Sequence, residues 1–437
     1  MNRLDVSAEC PSCGAPLDFK EGSNAVQCRY CGSNLLVTGR KQVLSYYVEP
    51  KADRHRGAAA VLTARKGREE DSCHIAGMRL CFIPYYRLSG HDLRWERAAE
   101  GDEAEGADFP ADRYLEKNFL ACSLEGRGIY SLGVRPSALA LRLFHEETLA
   151  AAGKVVAADV SVEAALARGM KTELPENLLY RAVIGRILSL VYFPFWIVEL
   201  ECGGKRSLSL MDAVTGTVIP SDAPLSLYEV LDRTAAETHH RTAGFRPLVC
   251  PNCGGDLPVK PDDVVFFCAA CVRAWQIYGS DFREVPYRFA EARDSAAEGG
   301  AATYLPVWLP FWVLRAEQGE GPHRFFLPAF RYRGLKALSD LATALTRMQP
   351  EYTVSEHTDS GVRSGISYGC YYDQEDAELL ALFVHGGMKA REHAGATEKG
   401  GELALSGAEL VWLPFSTKGP DLVDPFTGRA LSKNALL

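Results

Sequence analysis

The chain has 437 residues, 47% hydrophobic and 24% charged, which excludes a disordered chain and leaves room for two or three packed domains. A formal net charge of -8 opposes an extended nucleic-acid face, because neutralising phosphates takes clustered Lys and Arg. No apolar stretch reaches eighteen residues, and the longest, near 187–198, is too short to span a bilayer. No signal-peptide pattern opens the chain, so a cytoplasmic location is expected.

The first element is a four-cysteine cassette, Cys10-Pro11-Ser12-Cys13 followed by Cys28-Arg29-Tyr30-Cys31. Two residues between cysteines is the spacing a tight turn needs to aim both thiolates at one ion, and two such turns complete a tetrahedral sulfur site of zinc-like preference. The cassette returns 240 positions later as Cys250-Pro251-Asn252-Cys253 and Cys268-Ala269-Ala270-Cys271, again C-x2-C-x14-C-x2-C. Gly14, Gly32 and Gly254 follow three of the four pairs, where the chain must turn beneath its own sulfurs. Two zinc ribbons are expected, each holding one structural ion, since four thiolates leave no position for water or substrate. Iron in a rubredoxin-like site is the alternative that four thiolates leave open. Neither ribbon is basic: Arg3, Lys20, Arg29, Arg40 and Lys41 face Asp5, Glu9, Asp18 and Glu21 in the first, and the second is balanced. The remaining cysteines, Cys73, Cys81, Cys122, Cys202 and Cys370, sit in apolar or mixed contexts and are expected to be buried thiols.

Further along, residues 96–113 form an acidic, Gly/Ala-rich run that reads as an exposed loop. A helix is expected over 161–168. Residues 191–201 read as a strand, Gly203-Gly204 as a turn, 207–210 as a returning strand, and Asp212 to Gly216 as a second turn before 217–219, giving a three-stranded meander. A helical connector is expected over 225–239, ending in His239-His240. The clearest helix is 335–348, with Leu335, Leu338, Leu341, Leu345 and Met348 on one stripe.

The landmarks behind the two ribbons recur in one order. Ile83-Pro84, Gly169-Met170-Lys171, Phe193-Pro194-Phe195 and Asp212 to Gly216 follow the first. Leu309-Pro310, Gly387-Met388-Lys389, Leu413-Pro414-Phe415 and Asp424 to Gly428 follow the second, which points to an internal duplication. The expected fold class is α+β, with each zinc ribbon followed by an α/β module built on an antiparallel sheet. The expected domains are ribbon one at 1–40, module one at 41–222, a linker at 223–246, ribbon two at 247–281 and module two at 282–437. Pro84, Pro194, Pro310 and Pro414 should lie at strand starts, edges or bulges, because proline cannot donate to a ladder.

Reaction chemistry is thin. No phosphate-binding Gly-rich loop and no H-E-x-x-H is present. Gly365-Ile366-Ser367-Tyr368-Gly369 matches G-x-S-x-G formally, but a polar stretch precedes it where a nucleophile elbow needs a buried strand. Glu199 and Glu201 share a strand face and are expected in solvent. Phe195, Trp196, Trp308, Phe311, Trp312, Trp412 and Phe415 concentrate on the aromatic-proline hairpins, where they serve either as repeat cores or as anchors for a partner.

At Cys-Pro-Ser-Cys-Gly and Cys-Pro-Asn-Cys-Gly the chain resembles the rubredoxin-like zinc ribbons of TFIIB-type transcription factors and primosomal helicases. That resemblance covers about 35 residues per copy and implies metal ligation by the eight cysteines alone. The ribbon plus an aromatic-Pro hairpin ending in D-x-x-T-G also resembles uncharacterised bacterial zinc-ribbon proteins, many with membrane helices, which this chain lacks. The expected function is a non-catalytic zinc-binding scaffold or adaptor for protein assembly in a bacterial cytoplasm. A nucleic-acid-binding accessory factor, disfavoured by charge, and an enzyme with an unrecognised site are the alternatives, and peripheral membrane contact stays open.

Overall fold

A computed structural model describes residues 3–39, 42–65, 73–96, 109–124, 140–171, 177–232, 240–291, 306–317, 323–354, 366–392 and 403–437. The architecture is mixed α and β, with sheets of ten, three, three and eight strands among the described residues. Of the expected acidic loop at 96–113, residues 97–108 lie outside the described residues, as do the connector residues 233–239, whereas Glu96 and 109–113 belong to strands and correct the loop reading there.

The axis of the larger sheet is an antiparallel pair, Cys73–Glu96 with Leu178–Cys202, paired from Cys73↔Cys202 to Glu96↔Leu178 with register shifts at 178/180, 184/187 and 199/200. Its middle is aromatic and β-branched on both faces, and Phe82, Ile83, Tyr85, Val191, Tyr192 and Phe193 are all buried. A strand patterned in this way needs cover on two sides. Phe109–Leu120 pairs with its outer edge. On the other side Leu44–Val48 runs parallel to 189–192, and Lys205–Asp212 and Val218–Ala223 complete the expected meander. The hairpin Asp5–Glu9 with Pro16–Lys20 joins this sheet through Ala140–Leu143, so ribbon one is stitched into it.

The smaller sheet is built on Val307–Ala316 paired with Leu405–Lys418. Its register repeats that of the larger one. Ile83↔Phe193 and Pro84↔Tyr192 in the first pair correspond to Leu309↔Leu413 and Pro310↔Trp412 in the second. Each pair also carries a parallel strand at the same place, Tyr47 beside Tyr192 and Phe289 beside Trp412.

The four prolines correct the expectation that they mark strand starts, edges or bulges. All four lie inside long strands, each where the outer neighbour changes. Pro84 sits between the stretch paired with Lys154–Val155 and that paired with Phe109–Leu120. Pro310 sits between the contacts to Ile366–Ser367 and to Arg324–Pro328. Pro194 and Pro414 occupy the corresponding gaps in their own strands. N–H and C=O of one residue point to the same side of a strand. The carbonyls of Pro84, Pro194 and Pro310 accept outward bonds from Ala121, Ala213 and Ala329 at 2.9, 3.0 and 2.9 Å. Their missing N–H groups would therefore face gaps in the outer ladder, and no inner bond is lost.

The long pair of the first half runs on beyond its aromatic centre into the second half. Leu93, Trp95, Ala182 and Ile184 belong to the same buried cluster as Trp308, Phe311 and Trp312. Trp95 stacks on Phe383 at 5.4 Å and donates its indole N–H to the Phe383 carbonyl at 3.0 Å. A side chain at Gly387 would collide with that indole, so the close approach requires glycine. Where this arm bends, Gly185 adopts φ 61° and gives its N–H to Asp376 at 2.8 Å.

The helix Leu335–Met348 forms with the expected bounds, and Leu335, Leu338, Leu341 and Leu345 are buried, but Met348 is exposed. Val162–Met170 is capped by Ser161, whose hydroxyl accepts the Ala164 N–H at 3.2 Å. Helices at Arg54–Arg65, Glu146–Ala152 and Gln374–Glu392 were not expected, and among the described residues the connector helix covers Leu227–Leu231.

Candidate metal centres

Each cassette folds into two matching turns. In ribbon one the Gly14 N–H bonds the Cys10 carbonyl at 2.8 Å and the Gly32 N–H bonds the Cys28 carbonyl at 2.9 Å. In ribbon two Gly254 and Val272 do the same to Cys250 and Cys268, both at 2.9 Å. The three glycines have φ of 72–75°, as the sequence led us to expect. These turns push both sulfurs of each pair toward one point.

The sulfurs converge accordingly. Cys10 and Cys31 are 3.8 Å apart, as are Cys13 and Cys28, while Cys250 to Cys271 and Cys253 to Cys268 are each 3.5 Å. All four ligand atoms of each set lie within 4.8 Å of one another. Tetrahedral metal–thiolate bonds of about 2.3 Å place sulfurs about 3.8 Å apart, so each set can hold a metal ion with little rearrangement.

Thiol electrostatics point the same way. Hydrogen bonds from the Ser33 hydroxyl and backbone N–H bring Cys31 down to about 6. Cys13 is pulled down by the Ala15 N–H, but burial and bonding to Cys31, Cys10 and Cys28 push it up to about 12. In ribbon two burial raises Cys250, yet the N–H groups of Cys253 and Asn252 bring it to about 7, whereas burial and the bond to Cys250 push Cys271 to about 12. Four thiols this close cannot all ionise without a cation among them.

The ribbons are not separate beads. Ala25 and Leu36 of the first share a core with Leu248, Phe266, Trp275 and Ile277 of the second. Strand Gly244–Pro247 pairs with Asn34–Thr38, so the end of the expected linker is a strand of ribbon one's sheet. Asn24 donates its backbone N–H to Pro261 at 2.6 Å and its amide to Asp263 at 3.0 Å. Arg3 pairs with Asp262, whose other oxygen takes Arg331 at 2.8 Å, pinning both ribbons to the second half.

The aromatic candidates are corrected by their burial. Phe195, Phe311, Trp312 and Phe415 are fully buried, and Trp308 and Trp412 retain only 6% exposure, all within the chain's own cores. Trp196 is half-buried and gives its indole N–H to Ala52 at 2.8 Å. Six of the seven fill the cores of the two sheets, and Trp196 is only partly covered. The expectation for Cys73 and Cys202 is corrected as well: they form a disulfide, closing the far end of the long strand pair. Cys81, Cys122 and Cys370 are buried thiols as expected.

The other sequence candidates do not assemble into a reactive site. Glu199 and Glu201 pair with Arg206 at 3.3 and 3.2 Å. His240 stacks on Phe144 at 4.0 Å. Of the G-x-S-x-G match, Gly365 lies outside the described residues, and Ile366–Ser367 is a two-residue strand. A cavity bounded by Arg3, Gly22, Tyr46, Arg186, Ser189 and Tyr371 encloses about 40 Å³. That is room for roughly three ordered waters. No helix among the described residues is long and apolar enough to cross a membrane.

No protein-family model, curated protein or solved structure matches the chain.

Proposed function

We propose that this chain is a non-catalytic scaffold or adaptor, stapled by two structural zinc ions and built by internal duplication, that contacts a protein partner. The observation that carries the reading is the pair of all-sulfur clusters, because four thiolates fill a tetrahedral shell and leave the metal no position for a substrate. Zinc suits tetrahedral sulfur, and its binding energy would fold ribbons too small to bury a sufficient core alone. The duplication is supported by the shared register of the two central strand pairs and by their prolines at equivalent ladder gaps.

Burial of the aromatic hairpins moves the contact surface toward the ribbons. Tyr30, between Cys28 and Cys31, is 70% exposed, and Tyr278, at a hairpin end of ribbon two, is 62% exposed. Tyrosine pairs a large apolar ring with a hydroxyl, a combination enriched at protein interfaces. Gentle purification from the native source tests the reading. A stoichiometric protein partner is expected, weakened by Tyr30→Ser and Tyr278→Ser; a lone monomer with nothing associated contradicts it.

The cytoplasm is proposed as the compartment, and the Cys73–Cys202 disulfide stands against it, since disulfides are rare in reducing compartments. Counting alkylated cysteines after denaturation without reductant settles the matter. All thirteen labelled in protein taken directly from cells supports a reducing compartment, and eleven opposes it.

A further inference from the structure

The two metal centres differ at one backbone position. In three of the four cysteine turns, the residue after the second cysteine is a glycine in the left-handed region: Gly14 at φ 73°, Gly32 at 75° and Gly254 at 72°. In the fourth it is Val272, at φ 56°. The turn itself is the same, since the Val272 N–H bonds the Cys268 carbonyl at 2.9 Å, as Gly32 bonds Cys28. A β-branched residue is a true outlier here, because its Cβ crowds the following carbonyl oxygen. The strain lasts as long as the turn keeps this closed form.

Two neighbours bear on the same centre. In ribbon one the Ser33 hydroxyl lies 3.1 Å from the Cys31 sulfur. The corresponding residue of ribbon two is Arg273, which pairs with Glu284 instead at 2.8 Å. The strained turn is also held from outside. The Tyr287 hydroxyl donates to the Val272 carbonyl at 3.0 Å. The Tyr287 ring lies edge-on to Phe267 at 5.1 Å and to Trp412 at 6.1 Å, and its backbone pairs with Leu410.

We propose that ribbon two carries the exchangeable metal and ribbon one the permanent one. Opening of the Cys268–Cys271 turn releases the Val272 strain, so this centre gives up its ion first, and the loss reaches the second-half sheet through Tyr287. The proposal rests on reading both clusters as zinc centres. It makes ribbon two the part of the molecule that responds to free zinc.

Full-length protein carrying two zinc ions, mixed with excess chromogenic chelator, should release them in two phases of one ion each. Val272→Gly should slow the faster phase about tenfold and leave the slower one alone. Val272→Asn, which tolerates the left-handed region, should slow it less, and Tyr287→Phe should quicken it. These two variants carry the test should Val272→Gly not fold. A Cys10→Ser/Cys13→Ser variant should keep only the fast phase. A single phase for both ions, a fast phase that persists in Cys250→Ser/Cys253→Ser protein, or rates untouched by every Val272 and Tyr287 variant overturns the proposal. Freshly purified protein with no bound zinc contradicts the zinc reading beneath it, a result distinct from equal release.

Discussion

Each half is built on a central antiparallel strand pair, and the two pairs differ in length. In the first, strands of 24 and 25 residues continue past the aromatic-proline centre, whereas in the second the partners have 10 and 14. The extra length is an arm: Leu93, Trp95, Ala182 and Ile184 are buried in the core of the other half. A common register with unequal arms makes one molecule of two similar sheets. The ribbons add to this, since they share a core and the segment that enters ribbon two, Gly244–Pro247, is a strand of ribbon one's sheet.

The comparison is broken hardest at the metals. Replacing Cys10 and Cys13, or Cys250 and Cys253, by Ser would remove the proposed zinc, whose binding contributes about 10–16 kcal/mol of apparent folding energy in small ribbons. Because the ribbons share a core, either double variant should lower the melting temperature of the whole chain. A calorimetric trace in which only one half melts early would show the halves to be independent.

Next in size is the arm. Trp95→Ala should cost about 3–5 kcal/mol and split a single unfolding transition into two, as the halves lose their main tie. One unshifted transition in calorimetry would show that the arm is not what joins them. A similar cost, about 3–5 kcal/mol, is expected from Arg87→Met. That change takes the Arg87 guanidinium from the Glu21 carboxylate, 1% exposed, which also accepts the Ser189 hydroxyl at 2.6 Å.

A pH test sharpens the picture where the arm bends. His91 is pushed down to about 4 by burial first, and then by Arg331 and Arg3. The folded state therefore binds this proton less well than the unfolded state, so its contribution is present above about 6.5 and is lost as pH falls toward 4. Denaturant midpoints should fall across that window, and His91→Gln should flatten the fall. An unchanged pH profile in the variant would assign the effect elsewhere.

The smallest effect separates the two D-x-x-T-G turns. Asp212 accepts the Val214 N–H at 2.7 Å, and Asp424 accepts the Thr427 N–H at 2.8 Å. Gly216 and Gly428 close these turns at φ 79° and 71°. Asp212→Ala and Asp424→Ala should each cost about 1 kcal/mol, measured by chemical denaturation. Unequal costs would mean the turns carry different loads despite their shared geometry.

What could be read in the sequence was chemistry confined to a short span. The eight cysteines and their glycines were legible because spacing alone decides whether two thiolates meet, and the D-x-x-T-G turns were legible for the same reason. The helix of 335–348 announced itself by its leucine stripe, while Gln374–Glu392, interrupted by Gly386-Gly387, did not. Gly387 answers to Trp95, nearly three hundred residues away, and no local pattern carries that demand. The same holds for Cys73 and Cys202, which meet only because a ladder of strands puts them face to face. The prolines misled because the rule about edges is a rule about missing donors, and a gap in the outer ladder satisfies it equally well. Val272 was visible as the one cysteine turn without glycine, but its strain takes backbone angles to see.

The central claim, that two closed sulfur sites hold structural zinc, is tested most directly by elemental analysis of freshly purified protein. Two zinc ions per chain are expected, falling to one in the Cys10→Ser/Cys13→Ser variant and to one in the Cys250→Ser/Cys253→Ser variant. Zinc near zero, or a predominance of iron, would contradict it.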